Sequence, residues 1–370
     1  MDTITLNAPL DAHVHLRQGN MMKLVTPHVQ LGGIKTAFVM PNLIPPLTTP
    51  EQTQSYVQQL NQLEPTLQVL PSMYLSSSLT PEMVRRAKEL GVVGIKSYPR
   101  GVTTNSDGGV GMEGYGVYDE VFREMEKCDL VLNLHGEVPS DLDGDGTCVL
   151  NAEERFLPHL YEIHRKFPSL RIVLEHCTTS AAIQAVLSLP SNVCASITPH
   201  HLLLTIDQAC SSSLNFCKPL AKFPSDRKSL RLAIISKSPK FFLGSDSAPH
   251  PSSTKLPRLN LATIEGKEEV VLPTPCAAGI YTSSNLIPLT AEIFERSGIP
   301  LDCLQGFVST FGRDFYKVPN EKEEDRVTLK RVEGKVVERV WRFEKEGEGE
   351  EEYVIPFLAG EKIGWEIVGN

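Results

Sequence analysis

Short apolar, β-branched runs recur along this chain at intervals filled by helix-length amphipathic stretches, and no other feature limits the fold so tightly. Strands are expected at 10–15 (LDAHVH), 34–40 (IKTAFVM), 67–75 (LQVLPSMYL), 92–98 (VVGIKSY), 130–135 (LVLNLH), 170–176 (LRIVLEH), 193–198 (VCASIT) and 241–246 (FFLGSD). Helical patterns lie between them at 50–62, 80–90, 117–127, 153–166, 179–188 and 225–237. Thr80-Pro81-Glu82 opens one of these with a hydroxyl cap and a proline at the first helical position. Strands alternating with helices in this number predict an α/β chain closed into a (β/α)8 TIM barrel. After about residue 312 the texture changes. Segments 326–332 and 335–343 read as a hairpin around Glu333-Gly334, and an acidic run, 344–352, reads as a solvated loop because like charges repel. An apolar close, 353–368, holds Trp365. The expected division is a barrel over 1–315 and a β-rich C-terminal extension over 316–370, packed on it.

Composition narrows the function classes. Hydrophobic residues at 41% and charged residues at 22% are ordinary for a globular protein and exclude a disordered or collagen-like chain. A net charge of −9 argues against a nucleic-acid or anionic-membrane surface. The apolar runs are strand-sized, so no membrane span is expected, and the first twenty residues lack the basic and apolar segments of a secretory leader. Eight cysteines are scattered without a CxxC pair and read as reduced thiols of a cytoplasmic protein.

The chemistry starts at Asp11-Ala12-His13-Val14-His15-Leu16-Arg17. Alternation along a strand puts His13 and His15 on one side, where both imidazoles can reach a common metal. An HxH alone is more often a surface or core pair. Its weight comes from His135, His176 and Asp246, each a metal-ligand type at the C-terminal end of an apolar run, where barrel active sites lie. Lys96 ends the fourth run. By itself it reads as a lysine reaching solvent. Beside two divalent ions held by neutral histidines and one aspartate, a desolvated lysine gives up its proton and can take up CO₂, turning a repelling ammonium into a bridging carbamate.

In these blocks the sequence resembles the dihydroorotases of the amidohydrolase superfamily, in the shorter monofunctional form found in many bacteria and in fungi. DAHVHLR (11–17), VMPNLIPPLTT (39–49), KSYP…TTNSDGGV (96–110), LHGEV (134–138), LEHCTT (174–179), SITPHHL (196–202), LGSDSAPH (243–250) and VIPFLAGE (354–361) carry the likeness in order along nearly the whole chain. The resemblance implies two zinc ions bridged by a carboxylated Lys96 (N6-carboxylysine) and a hydroxide, with His13, His15, Lys96, His135, His176 and Asp246 as ligands. It implies reversible cyclisation of N-carbamoyl-L-aspartate to L-dihydroorotate in pyrimidine synthesis, with the hydroxide as nucleophile and Asp246 as general acid and base. Arg17 suits the substrate carboxylate as a bidentate fork and Asn42 can donate to the same anion, in agreement with the family pattern. His250 and the backbone near Lys218 and Ala278 are implied substrate contacts. The glycine-rich stretch 100–116 matches the family lid, which places Thr103 and Thr104 over the substrate. Members of this type are often dimers, though no interface is readable in the sequence.

Other patterns are set aside. Gly109-Val-Gly111-Met-Glu-Gly114 matches GxGxxG, but no strand runs directly into it. Asp141-Leu-Asp143-Gly-Asp145-Gly146 opens like a calcium loop, yet its twelfth position is Ala152 rather than glutamate. Cys177 faces away from its neighbour His176 and reads as a buried thiol. His200 stands beside His201, and only the second fits the family block. The rival functions are a hydantoinase or allantoinase with the same metal set, a mononuclear deaminase with no use for Lys96, and a barrel that has lost its metals.

Overall fold

The computed structural model describes residues 2–111, 114–141, 144, 146–256, 260–264, 267–271, 275–319, 323–347 and 350–368. A short strand, β1 (Thr3–Leu6), precedes eight parallel strands: β2 (Leu10–Val14), β3 (Thr36–Val39), β4 (Gln68–Tyr74), β5 (Gly94–Ser97), β6 (Val131–His135), β7 (Ile172–Glu175), β8 (Val193–Ile197) and β9 (Phe241–Leu243). They pair in sequence order. The ring closes between β2 and the chain beyond β9, where Val14 bridges Ser247. Across that seam Asp246 N–H donates to His13 O at 2.9 Å and His15 N–H to Ser247 O at 3.0 Å. The expected barrel is present.

Helices cover the outside: α1 (Gly19–Leu31), α2 (Pro50–Leu63), α3 (Pro81–Glu89), α4 (Asp119–Cys128), α5 (Ala152–Lys166) and α6 (Ser180–Ser188). Further along come α7 (Pro199–Leu203), α8 (Ile206–Ser211), α9 (Pro224–Ile235), α10 (Ser252–Lys255), α11 (Leu286–Ser297) and α12 (Phe311–Tyr316). Hydroxyl caps start several of them, as the sequence indicates: Thr80 accepts from Met83 N–H at 3.3 Å, and Thr49 forms a capping box with Gln52. Helices α1 and α11, and the short α7, α8, α10 and α12, have no counterpart in the sequence reading.

Two apolar bodies hold the barrel. One lies between strands and helices. The other fills the interior below the site and takes in Leu10, Ala12, Phe38, Met40, Val131, Val173 and Phe242. Tyr316 of α12 joins it, its ring 5.0 Å from that of Phe38. The interior is therefore packed and not a pore, leaving chemistry to the C-terminal rim.

The C-terminal region corrects two expectations. Residues 327–336 form one strand, β12 (Val327–Val336), and not half of a hairpin. It lies between β1 and β15 (Lys362–Val368) in an antiparallel sheet, and the irregularity in its pairing falls between Arg331 and Lys335. Gly334, at φ +136°, supplies a bulge where the sequence suggested a turn. Two shorter antiparallel pairs are β10 (Asn260–Ile264) with β11 (Lys267–Val271), and β13 (Trp341–Glu344) with β14 (Glu351–Val354). The acidic run is thus strand at both ends, and among its described residues all but Glu352 are exposed. Glu352 is buried and accepts from the Ser252 hydroxyl at 2.6 Å, which removes it from the solvated loop.

Candidate metal centre

The predicted ligands converge on the barrel's C-terminal mouth. His135 ends β6 and Lys96 lies in β5, whereas His15, His176 and Asp246 lie just beyond their strands. Asp246 is three residues past β9, not at its last position, because the chain breaks from the strand at Gly244 and is captured by Asp11. The Asp11 carboxylate accepts from Ser245 N–H at 2.8 Å and from its hydroxyl at 2.5 Å. Burial raises the Asp11 carboxyl to about 6, with the Ser245 bonds opposing it. Asp246, His176 and Arg17 all stand at positive φ (45°, 41° and 58°), strained backbone concentrated at the site.

His13 Nε2 and His15 Nε2 lie 3.4 and 3.1 Å from Asp246 Oδ1. Ligating atoms of these three residues lie within 4.8 Å of one another, close enough to share one cation. The His176 ring is 5.0 Å from that of His13 and 4.6 Å from that of His135. Burial lowers the titration of His15 to about 4 and pushes His135 and His176 below their ordinary value, so the rings are neutral with free lone pairs. Burial would raise the Asp246 carboxyl, but the His15 hydrogen bond and the surrounding imidazoles outweigh it and hold it below the usual carboxylate range.

Lys96 is fully buried, its Nζ donating to Ser97 O at 3.3 Å and standing 4.3 Å from the Tyr98 ring centre. Burial lowers it to about 8 against the pull of Glu175 and Asp246. His13 Nε2 and His176 Nδ1 are buried without a hydrogen-bond partner. Unpartnered imidazole nitrogens, a low-lying carboxylate and a desolvated amine are the donor set that a pair of divalent ions requires, and the residues fit that group.

Outer carboxylates, which sequence reasoning missed, set the tautomers. His13 Nδ1–H donates to Glu175 at 2.9 Å, leaving Nε2 to ligate. Glu175 also accepts from Asn133 at 2.7 Å and from the Ser196 hydroxyl. His135 Nε2 pairs with Glu137 at 2.8 Å, leaving Nδ1, and Lys222 lies 3.7 Å from the same carboxylate. Their signal was a charged or amide residue inside a buried run: Asn133 in VLNLH and Glu175 in VLEH.

The pocket over these groups is lined by every predicted site residue except Lys96 and His250, with Tyr98 and Ala248 added. Its cavity is about 10 Å³. Arg17 Nε donates to Pro249 O at 2.9 Å, and Nη2 lies 3.1 Å from His250 Nε2, which in turn is 2.9 Å from Ala278 O. Asn42 donates to Thr104 O at 3.0 Å and the Lys218 ammonium to Val102 O at 2.6 Å, so it is the Lys218 side chain that meets the loop carrying Thr103 and Thr104.

The set-aside patterns stay apart from this pocket. Cys177 is buried with its thiol 3.6 Å from Leu174 O. His201 spends its ring nitrogens on Thr198 (2.8 Å) and Pro219 O (3.0 Å), with Cys217 Sγ 3.5 Å away and His200 beside it. Asp143 and Asp145 of the calcium-like loop, and Met112 and Glu113 of the glycine stretch, lie outside the described residues.

Comparison with known proteins agrees with the geometry. A family model described as amidohydrolase matches residues 77–194. A dihydroorotase of Mycosarcoma maydis is 46% identical, covering 99% of this chain and 98% of its own. The crystal structure of dihydroorotase from Saccharomyces cerevisiae in complex with 5-fluoroorotic acid superposes with a TM-score of 0.87 at 41% identity, over 100% of this chain and 99% of that one. An L-hydantoinase of Arthrobacter aurescens gives 0.76 at 17% identity over 99% of this chain and 83% of its own, a likeness of fold alone. The chain belongs to the dihydroorotase family of amidohydrolase enzymes.

Proposed function

We propose that this chain interconverts N-carbamoyl-L-aspartate and L-dihydroorotate, the ring-closing third step of UMP synthesis. The observation that carries the reading is the convergence of four buried imidazoles, one ionised carboxylate and one desolvated lysine, with ring nitrogens of His13 and His176 left free to bind metal. In this reading His13, His15, His135, His176, Asp246 and a carboxylated Lys96 would hold two zinc ions. When bound, such a pair supplies a water acidified to near neutrality and a Lewis acid for the amide oxygen.

The residues do the rest. Asp246, ionised at neutral pH, takes a proton from the attacking water and returns it to the departing ring nitrogen; cyclisation reverses the transfer. Arg17 is fixed through Nε to Pro249, with Nη2 beside His250, and its remaining outer N–H groups serve the carboxylate that takes no part in the reaction. Asn42 donates to the same anion, while His250 and the backbone at Ala278 and Lys218 hold the ring. Thr103 and Thr104, on the pocket wall, close over it and exclude water. That the yeast relative takes 5-fluoroorotic acid, a pyrimidine carboxylate, supports this substrate class. Among the described residues no helix is long and apolar enough to cross a membrane, and the cysteines are free, in keeping with work on a small metabolite in the cytoplasm.

The test is zinc content together with hydrolysis of dihydroorotate, hydantoin and allantoin by the purified protein. Two zinc ions per chain and preference for dihydroorotate are expected. A folded, metal-free, inactive protein, or one that prefers hydantoin or allantoin, overturns the reading.

A further inference from the structure

The loop over the pocket is tied to itself before it is tied to the barrel. Val110 N–H donates to Tyr98 O at 2.8 Å, Arg100 N–H to Val110 O at 2.9 Å and Gly101 N–H to Ser106 O at 3.2 Å. The Ser106 hydroxyl bridges Thr103 N–H (3.0 Å) and Thr103 O (2.7 Å). A Cβ on Gly109 would stand 2.3 Å from Tyr98 O, so glycine permits the close approach at the loop's base. The loop is therefore braced internally as one small body.

Among the hydrogen bonds between described residues, three hold that body down: Asn42 Nδ2 to Thr104 O (3.0 Å), Asn105 Nδ2 to Asn42 O (2.9 Å) and Lys218 Nζ to Val102 O (2.6 Å). Two of the three run through Asn42, and in the proposed function the substrate carboxylate claims the Asn42 amide. The Asn42 amide has two N–H groups, so an entering carboxylate shares it with the Thr104 attachment. The Lys218 attachment is charged, is the shortest of the three and is not shared in this way. It also borders a neighbouring 240 Å³ recess lined by Val102, Glu137 and Lys218 among others, so a carboxylate shares that space with the Lys218 side chain.

We propose that Lys218 is the positioning residue of the lid: its ammonium grips the Val102 carbonyl and keeps Thr103 and Thr104 over the pocket while substrate engages Asn42. This goes beyond a backbone contact at that position. It rests on the dihydroorotase reading only for its kinetic part.

The test compares the zinc-loaded wild type with K218M and K218R. Trypsin cleavage after the exposed Arg100, located by mass spectrometry, reads lid opening directly. K218M should be cut about tenfold faster, the scale of a charged hydrogen bond. Its kcat/KM for dihydroorotate should fall mainly through KM while zinc content stays at the wild-type level, and K218R should lie between the two. Cleavage of K218M at the wild-type rate overturns the proposal, and K218Q carries the same comparison should K218M not fold. A wild type that opens no dihydroorotate ring, alongside faster cutting of K218M, sinks the substrate assignment and leaves the lid role standing. Normal ring opening with unchanged cutting sinks the lid role alone.

Discussion

Lys96→Met offers a prediction in which stability and function move in opposite directions. The ammonium is fully buried, and its titration drops from 10.5 to about 8. That difference, at 1.36 kcal/mol per pKa unit, makes charged Lys96 cost the metal-free fold about 3 kcal/mol. Methionine has a similar length and no charge to desolvate. The cost is full below pH 8, where the folded state must keep the ammonium. It shrinks between 8 and 10.5 and is gone above 10.5, where the unfolded chain has lost the proton too. Urea unfolding of metal-free wild type and K96M should therefore favour the variant by about 3 kcal/mol at pH 7, with the gap closing as pH rises toward 10.5. With zinc present, K96M should bind fewer ions and open no ring. A K96M protein less stable than metal-free wild type at pH 7, or a gap that does not change with pH, refutes the reasoning.

Asp246→Asn should keep the far-UV spectrum and lower dihydroorotate hydrolysis by about 10²–10⁴, the range for removing a positioned proton carrier. Glu175→Gln and Glu137→Gln should each weaken zinc binding by about 10–100-fold in chelator competition, because His13 and His135 lose the groups that fix their tautomers. Undiminished affinity in both variants would falsify that account. Arg17→Met should raise KM by about 10–100-fold with a smaller effect on kcat, as expected for a charged hydrogen bond to a group that does not react; steady-state kinetics decides it.

Much of this was legible because the barrel strands are buried on both faces and so stand out as apolar runs, and because a histidine or aspartate closing such a run has no packing reason to be there. Where local signals conflict, the sequence misleads. Helix α1 carries Pro27 in its interior and has no side-chain cap, and α11 begins Leu-Ile-Pro-Leu without one, so neither announces a start. Glu333-Gly334 has the composition of a turn, yet pairing with β15 on either side makes it a bulge. Glu137, Glu175 and Asn133 carry no metal-ligand spacing of their own, and their importance exists only once the fold has placed them behind the imidazoles.

The ring's two ends meet where the chemistry is. His13 and His15 come from the opening strand and its end, Asp246 from the segment after the closing one, and the bridge at Val14 and Ser247, its neighbouring hydrogen bonds and the Asp11–Ser245 bonds stitch them together. An ion shared by those three side chains would act as a rivet through the last seam to shut. Its affinity would register circularisation during refolding, and chelation would loosen the barrel first along the join between its oldest-made and newest-made staves.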